Sequence, residues 1–379
     1  MTFKIKTLKN NVKILIIGDI HLGHQTNKTH YIVDSLKKYF KDNKNLFKQL
    51  SYIIINGDLF DKALLTYSIE YEQSMAWIFE LVMFCSKNKI KLRLLEGTAS
   101  HDNNQGRLLP NLIKQWEVDI NFRYIKDIEI EYDSDFDIYN LFVPDRNDRT
   151  AKDRFKIIRK LMVDLKIDKI DFAFMHGNFN YQLPVTSEHA HDESDYLSII
   201  RFYIVINHVH IPSVYDRILA PGSFERNNHG EEEDKGGIYI DVKSEKDMRF
   251  IFLKNNNARI FKTITINRDK SELAKIYKDI DKVAKDLPET AFLRILCKHK
   301  LEISKEVKDK YNLSGVKEEI PSKERANIRD LFSIKNNNIV ELQITKDNVI
   351  DLIKEELKSI DSNYISIIEK KILKLNETI

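Results

Sequence analysis

Five short clusters of aspartate and histidine stand out in this 379-residue chain. They are Asp19-Ile20-His21, Gly57-Asp58, Ser100-His101-Asp102, His176-Gly177 and His208-Val209-His210. Asp19 and His21 are two residues apart, as are His208 and His210. In an extended segment that spacing puts both side chains on one side, so each pair can grip one ion. Asp58 is a lone carboxylate able to bridge two ions, and His176 adds another nitrogen. Imidazole and carboxylate donors without thiolate suit Mn²⁺, Fe²⁺ or Zn²⁺ better than Ca²⁺ or Mg²⁺. They are too many for one tetrahedral zinc and suit two divalent ions about 3.5–4 Å apart. Such a pair generates a hydroxide nucleophile near neutral pH and offsets the charge that grows on a phosphoryl group under in-line attack. The expected reaction is hydrolysis of a phosphate ester. His101 has a separate expected role: it follows a loop and can donate a proton to the leaving oxygen. Asp102 beside it is expected to orient its ring.

Taken one at a time these residues say little, because an Asp after a strand is commonly a turn or cap residue. Their joint placement is what carries the reading. Val12–Ile17, Tyr52–Asn56, Leu92–Leu95, Asp171–Met175 and Tyr203–Asn207 are apolar runs, and each ends at one of the clusters. Such continuous runs suggest strands buried on both faces. Helical spacing of apolar residues falls at 30–50, 67–86 and 152–166. Strand–helix alternation predicts a layered α/β core with its sheet covered by helices. Active sites of such sheets form beyond the carboxyl ends of the strands, where all five clusters lie.

Only 11 of the 379 residues are glycine, well under the ~7% of an average protein. Eight of them, Gly18, Gly23, Gly57, Gly97, Gly177, Gly222, Gly236 and Gly237, sit close to these clusters or their turns. The 61 basic and 58 acidic side chains nearly balance, which excludes a uniformly basic coat of the histone kind. With only Cys85 and Cys297, neither a disulfide framework nor a cysteine zinc site is available. No apolar run approaches ~20 residues and the first residues lack a signal-peptide core. A soluble, cytoplasmic protein without membrane contact is expected. Glu188-His189-Ala190-His191-Asp192 reads as a polar loop, and His24 as a residue that can touch a phosphate.

Asp19-Ile20-His21, Gly57-Asp58-Leu59-Phe60-Asp61, Ser100-His101-Asp102, His176-Gly177 and His208-Val209-His210 resemble the five motifs of calcineurin-like metallophosphoesterases. Leu22-Gly23 after the first motif, Pro221-Gly222-Ser223-Phe224-Glu225-Arg226 and Lys235-Gly236-Gly237-Ile238-Tyr239 resemble the SbcD-type DNA repair nucleases, phage subunits included. Lys62-Ala63 after Asp61 differs from the Arg-Gly of protein Ser/Thr phosphatases. The resemblance implies that Asp19, His21 and His210 hold one ion, that His176 and His208 hold the other, and that Asp58 bridges. His101 would be the catalytic histidine. Asp61, Gly222 and Ser223 would support the ligands from behind. The family's third motif reads Gly-Asn-His-Asp/Glu. Here Thr98 and Ala99 intervene, and Ser100 stands where the asparagine amide would ligate the second ion. Asn207 replaces the glycine that precedes the paired histidines, and asparagine tolerates positive φ.

The resemblance implies that residues 1–254 are the metallophosphoesterase domain, and Asn255-Asn256-Asn257 reads as a loop and boundary. A small α+β cap follows over 258–330, with strands at 260–266 and 291–297, a helix at 271–286, and a linker with a short helix from 302. Residues 339–379 carry apolar side chains at Ile350, Ile353, Leu357, Ile360, Tyr364 and Ile367, the 3-4 spacing of a coiled-coil stripe. Packing on the chain's own domain is the alternative for this helix. The resemblance implies that it binds an SbcC-type, SMC-like ATPase. It also implies a homodimer acting on DNA with two Mn²⁺ ions as exo- or endonuclease in recombination or repair. The alternatives are a phosphoesterase of nucleotides or other small esters, and a non-catalytic DNA-binding scaffold.

Overall fold

The computed structural model describes residues 6–145, 148–184 and 187–320. From the N-terminus, β1 (Thr7–Ile17) leads to α1 (Thr29–Asp42), the single turn α2 (Lys44–Phe47) and β2 (Tyr52–Asn56). Next come α3 (Ile69–Asn88), β3 (Lys91–Leu95), α4 (Leu109–Gln115) and β4 (Phe122–Ile125). The hairpin β5 (Glu129–Asp133) and β6 (Ile138–Val143) precedes α5 (Ala151–Leu165), β7 (Phe172–Gly177), α6 (Glu193–Ile199), β8 (Ile204–His208), β9 (Ser213–Tyr215) and β10 (Ile218–Ala220). The described chain closes with β11 (Gly236–Ser244), β12 (Asp247–Lys254), β13 (Phe261–Ile266), α7 (Leu273–Ala284), β14 (Phe292–Cys297), α8 (Ser304–Tyr311) and β15 (Gly315–Glu319).

Two six-stranded sheets form the core, one in the order β12-β11-β1-β2-β3-β4 and the other β5-β6-β7-β8-β10-β9. In the first, β1 to β4 run parallel, and β11 returns antiparallel beside β1. In the second, β6, β7, β8 and β10 are parallel. Side chains alternate across each strand. Ile14, Ile16 and Ile54 face the other sheet and pack with Phe142, Phe172, Phe174 and Val205. Leu15, Ile17, Ile53 and Ile55 face outward onto Leu36 of α1, Trp77 and Leu81 of α3 and Ile113 of α4. On the far side, Ala173, Met175 and Ile206 meet Ile158 and Met162 of α5 and Tyr196 of α6. Each sheet thus has helices on one face and its sister sheet on the other, which explains the near-continuous apolar runs. Each fully buried Ile or Leu contributes about 1.5–3 kcal/mol, and truncating one such as Ile54 costs about 2–5 kcal/mol.

Local signals set the helices. Ser68 caps α3 by accepting from Tyr71 N at 3.1 Å, and Glu70 and Glu72 complement its dipole. Thr150 caps α5 in the same way through Asp153 N. Beyond β12, the parallel sheet β13-β14-β15 carries α7 and α8 on its own core of Ile276, Ile280, Leu293, Ile295 and Val307. The strand β15 lies where the sequence suggests only a linker and a short helix. Gly-Val-Lys-Glu-Glu is an edge strand of intermediate burial with little apolar signal. Arg259 ties this sheet to the core, donating to Thr290 O and to Thr26 O, each at 2.8 Å. The helical stripe over 339–379 lies outside the described residues. Among the described residues no helix is long and apolar enough to cross a membrane.

Candidate metal centre

The carboxyl ends of β1, β2 and β3 in one sheet and of β7 and β8 in the other meet along one edge. Parallel register brings the first pair level, with Ile17 opposite Ile55. The two following loops are then stitched together: Asp19 N donates to Gly57 O at 3.1 Å, and Ile20 N and His21 N both donate to Asp58 O. Across the other sheet, His176 sits opposite Asn207 and Gly177 opposite His208. Asp19, His21, Asp58 and His208 all adopt positive φ, between 48° and 127°. Non-glycine residues hold such backbone at a cost of about 1–3 kcal/mol each, and they concentrate at functional sites. Gly57, at φ +87°, could not be replaced simply, since a Cβ there would lie 2.1 Å from His176 Nδ1.

Three groups of donor atoms result, each within a 4.8 Å span: Asp19, His21 and His210; Asp58, His176 and His208; and His21, Asp58 and His101. Asp58 faces both ends of the array, with Oδ2 3.4 Å from His176 Nε2 and 3.9 Å from His21 Nε2. Asp19 Oδ2 accepts from His208 N at 3.0 Å and from Asn207 Nδ2 at 3.2 Å. Its Oδ1 is buried without a hydrogen-bond partner, 3.9 Å from His176 Nε2. His21 Nε2 and His210 Nε2 face each other at 3.2 Å. His176 Nδ1 donates to Asn56 O at 2.9 Å, which leaves Nε2 facing the carboxylates, where a cation can take the place of the ring's second proton. Burial opposes charge on His176, yet the adjacent Asp58 carboxylate, with Asp19 behind it, raises it to about 10. An orphaned buried carboxylate oxygen, convergent imidazole nitrogens and a field that stabilises positive charge together fit divalent cations.

Thr98, not Ser100, enters this array. Its Oγ1 stands 3.3 Å from Asp58 Oδ2, 3.4 Å from His176 Nε2 and 3.3 Å from His208 Nδ1. Its backbone N–H donates to Asp58 Oδ1 at 2.6 Å. Ser100 is exposed. The physical reason is the backbone after Gly97: Asp58 N and Oδ1 lie 2.1 and 2.2 Å from where a Cβ at Gly97 would be, so the loop runs hard against Asp58 and delivers the next residue first.

Asp102 also departs from its expected role. Its carboxylate is buried and accepts from Gly97 N at 2.7 Å, Asp58 N at 3.1 Å and Phe60 N at 2.9 Å. It clamps the second and third loops together rather than orienting His101. The His101 ring is set by Asp61 instead: Nδ1 donates to Asp61 O at 3.1 Å, with Asp61 Oδ1 at 3.8 Å. The same Asp61 oxygen lies 3.3 Å from His21 Nδ1. Burial works to raise the Asp61 carboxyl, but the His21 and His24 rings bring it below the ordinary value. His101 stands on the rim with its side chain 38% exposed.

Two residues to which the sequence assigns no role at the site complete the array. Glu231 Oε1 lies 3.2 Å from His210 Nδ1, and Oε2 lies 3.0 Å from the wholly buried Lys235 Nζ. Lys235 also donates to His210 O and to Ser223 Oγ, at 2.9 and 2.8 Å. Ser223 Oγ donates its one proton to Glu225 O at 2.7 Å, with Glu231 Oε2 at 3.3 Å. Gly222, at φ +72°, accepts from Asn207 Nδ2 at 3.0 Å. Asn207 itself has no positive φ; His208 does. Its amide instead bridges Asp19, Gly222 and Asn56. In sequence Glu231 is marked only by its i, i+4 spacing to Lys235, and Lys235 only as the first residue of the Lys235–Tyr239 stretch. His24 Nδ1 accepts from Thr26 N and Asn27 N of its own loop. His189 and His191 join none of the three groups, and Asp192 caps α6.

With the geometry in place, comparison with known proteins adds the following. The calcineurin-like phosphoesterase family matches residues 12–233, a span that takes in all five clusters. One solved structure aligns over 64% of this chain and 99% of its own length, at 9% identity and a TM-score of 0.37. No relative is found among the curated proteins.

Proposed function

The chain belongs to the calcineurin-like phosphoesterase family of metal-dependent hydrolases, and from that premise we propose that it is a two-metal DNA nuclease subunit. The observation that carries this reading is the position of Asp58 Oδ2 between two imidazoles, His176 on one side and His21 on the other. Asp19, His21 and His210 would hold one ion and His176 and His208 the second, with Asp58 shared between them. Two divalent ions held there would supply a nucleophilic hydroxide near neutral pH and offset charge on the phosphoryl oxygens, with Mn²⁺ suited to the mixed donors. His101, fixed at Nδ1–H by Asp61 O, turns Nε2 to the leaving oxygen and, as the imidazolium, donates the Nε2 proton there and is left neutral. Asp102 holds the backbone that carries Asp58, and Glu231 holds His210.

The nuclease assignment is supported by Pro221–Arg226 and Lys235–Tyr239, which resemble the SbcD-type branch. Within these stretches Lys235 donates to His210 O and to Ser223 Oγ, so Lys235 serves the site directly and Ser223 through it. The chain works as a homodimer in the cytoplasm with an SMC-like ATPase of the SbcC type, bound through residues 339–379. The test is Mn²⁺-dependent cleavage of linear DNA alongside a small phosphodiester. Cleavage of both, lost in Asp58→Asn and His208→Ala without loss of fold, supports the reading. Turnover of the small ester with no action on DNA would replace it with a small-molecule phosphoesterase.

A further inference from the structure

The two ends of the array are not equal in charge. The first group owns a carboxylate, Asp19, besides sharing Asp58. The second has two imidazoles, the shared Asp58 and the Thr98 hydroxyl. Thr98 Oγ1 sits 3.3–3.4 Å from an oxygen and two nitrogens at once. A hydroxyl carries one proton and can donate to only one of them. Asp58 Oδ2 presents lone pairs, and His176 Nε2 presents one once its ring is neutral, since the remaining proton is spent on Asn56 O. Acceptors converging on one oxygen are satisfied together by a cation. Thr98 is also held rigidly from behind: its carbonyl accepts from His101 N and Asp102 N at 2.9 and 3.0 Å, while its N–H donates to Asp58 Oδ1.

We infer that the Thr98 hydroxyl is the neutral oxygen ligand of the second ion, and that this makes the second position the weaker, exchangeable one. The inference rests on the two-ion reading above and deepens it. A neutral hydroxyl donates less to a hard cation than a carbonyl or carboxylate oxygen. The missing carboxylate lowers the Coulomb attraction further. The first ion is therefore resident, and the second is recruited as Mn²⁺ rises or as a substrate phosphate brings its own charge.

Calorimetric and electron-paramagnetic titration of the full chain with Mn²⁺ alone tests this. Wild type should bind two ions in separate steps, the second roughly tenfold or more weaker. Thr98→Val removes the hydroxyl at constant shape and should weaken the second step by roughly another tenfold or more, leaving the first in place. Thr98→Asn should tighten the second step, and Ser100→Ala should move neither. Thr98→Ser, which keeps the hydroxyl, should retain the second ion and so separate ligand loss from misfolding. A Thr98→Val chain that takes the second ion as tightly as wild type overturns the role of Thr98. A wild-type chain that binds no Mn²⁺ overturns the two-ion reading itself, a distinct failure.

Discussion

Glu231 Oε1 lies 3.2 Å from His210 Nδ1, while its other oxygen lies 3.0 Å from buried Lys235 Nζ. Burial alone would push the Glu231 carboxyl up, but His210 and Lys235 hold it down at about 2. The carboxylate therefore fixes which His210 nitrogen faces the site. Glu231→Gln is expected to weaken binding of the first ion by roughly 10–100-fold. It should also cost about 3–5 kcal/mol, because Lys235 loses its counter-charge. Combining it with Lys235→Met should recover much of the stability but not the ion affinity. Mn²⁺ titration and denaturant unfolding of both variants check this. Full recovery of ion binding in the double variant would show that Glu231 serves only the fold.

His101 and Asp102 are neighbours with opposite expected phenotypes. His101 stands on the rim, so His101→Ala should leave the melting temperature within about 2 °C and lower kcat roughly 10²–10⁴-fold. Asp102→Ala strands three buried backbone N–H groups and should destabilise by about 3–5 kcal/mol. Steady-state kinetics at saturating Mn²⁺, with thermal unfolding, distinguish the two. A stable, well-folded Asp102→Ala chain with lowered kcat would restore Asp102 to the chemistry.

Glu225 gives the seam between core and C-terminal sheet a pH dependence. Its buried carboxyl accepts from Arg259 N at 2.9 Å and Asn255 Nδ2 at 3.1 Å. Burial dominates and raises it from 4.5 to about 7. The folded chain therefore holds a proton that the unfolded chain has released between these values. Stability from this group is full below pH 4.5 and falls by about 3 kcal/mol as pH rises through 7. Urea unfolding at pH 5 and pH 8 should show this loss in wild type and not in Glu225→Gln. An equal fall in both would place the pH dependence elsewhere.

The strands that carry the site were legible because sheets buried on both faces demand long β-branched runs, and each run stops at its Asp or His. That the covering of one face is a second sheet could not be read from periodicity, since either cover buries the strand. Ser100 was the natural choice by alignment to the third motif, next to His101. Only the contact of Gly97 with Asp58, a relation between residues 39 positions apart in sequence, shows that Thr98 arrives first. Asp102 looked catalytic for the same reason of adjacency, while its partners are backbone amides on another loop. Glu231 and Lys235 were hidden in a charged stretch whose neighbours look solvated, and only their buried pairing beside His210 sets them apart. The strand β15 escaped because polar residues at a half-buried edge carry no period.

The most direct test of the account is anomalous diffraction from crystals of the full chain soaked in Mn²⁺. Two peaks about 3.5–4 Å apart, one among Asp19, His21 and His210, the other among His176, His208 and Thr98, with Asp58 between them, are predicted. No peak at this edge, or a single ion that leaves His176 and His208 unligated, would contradict it.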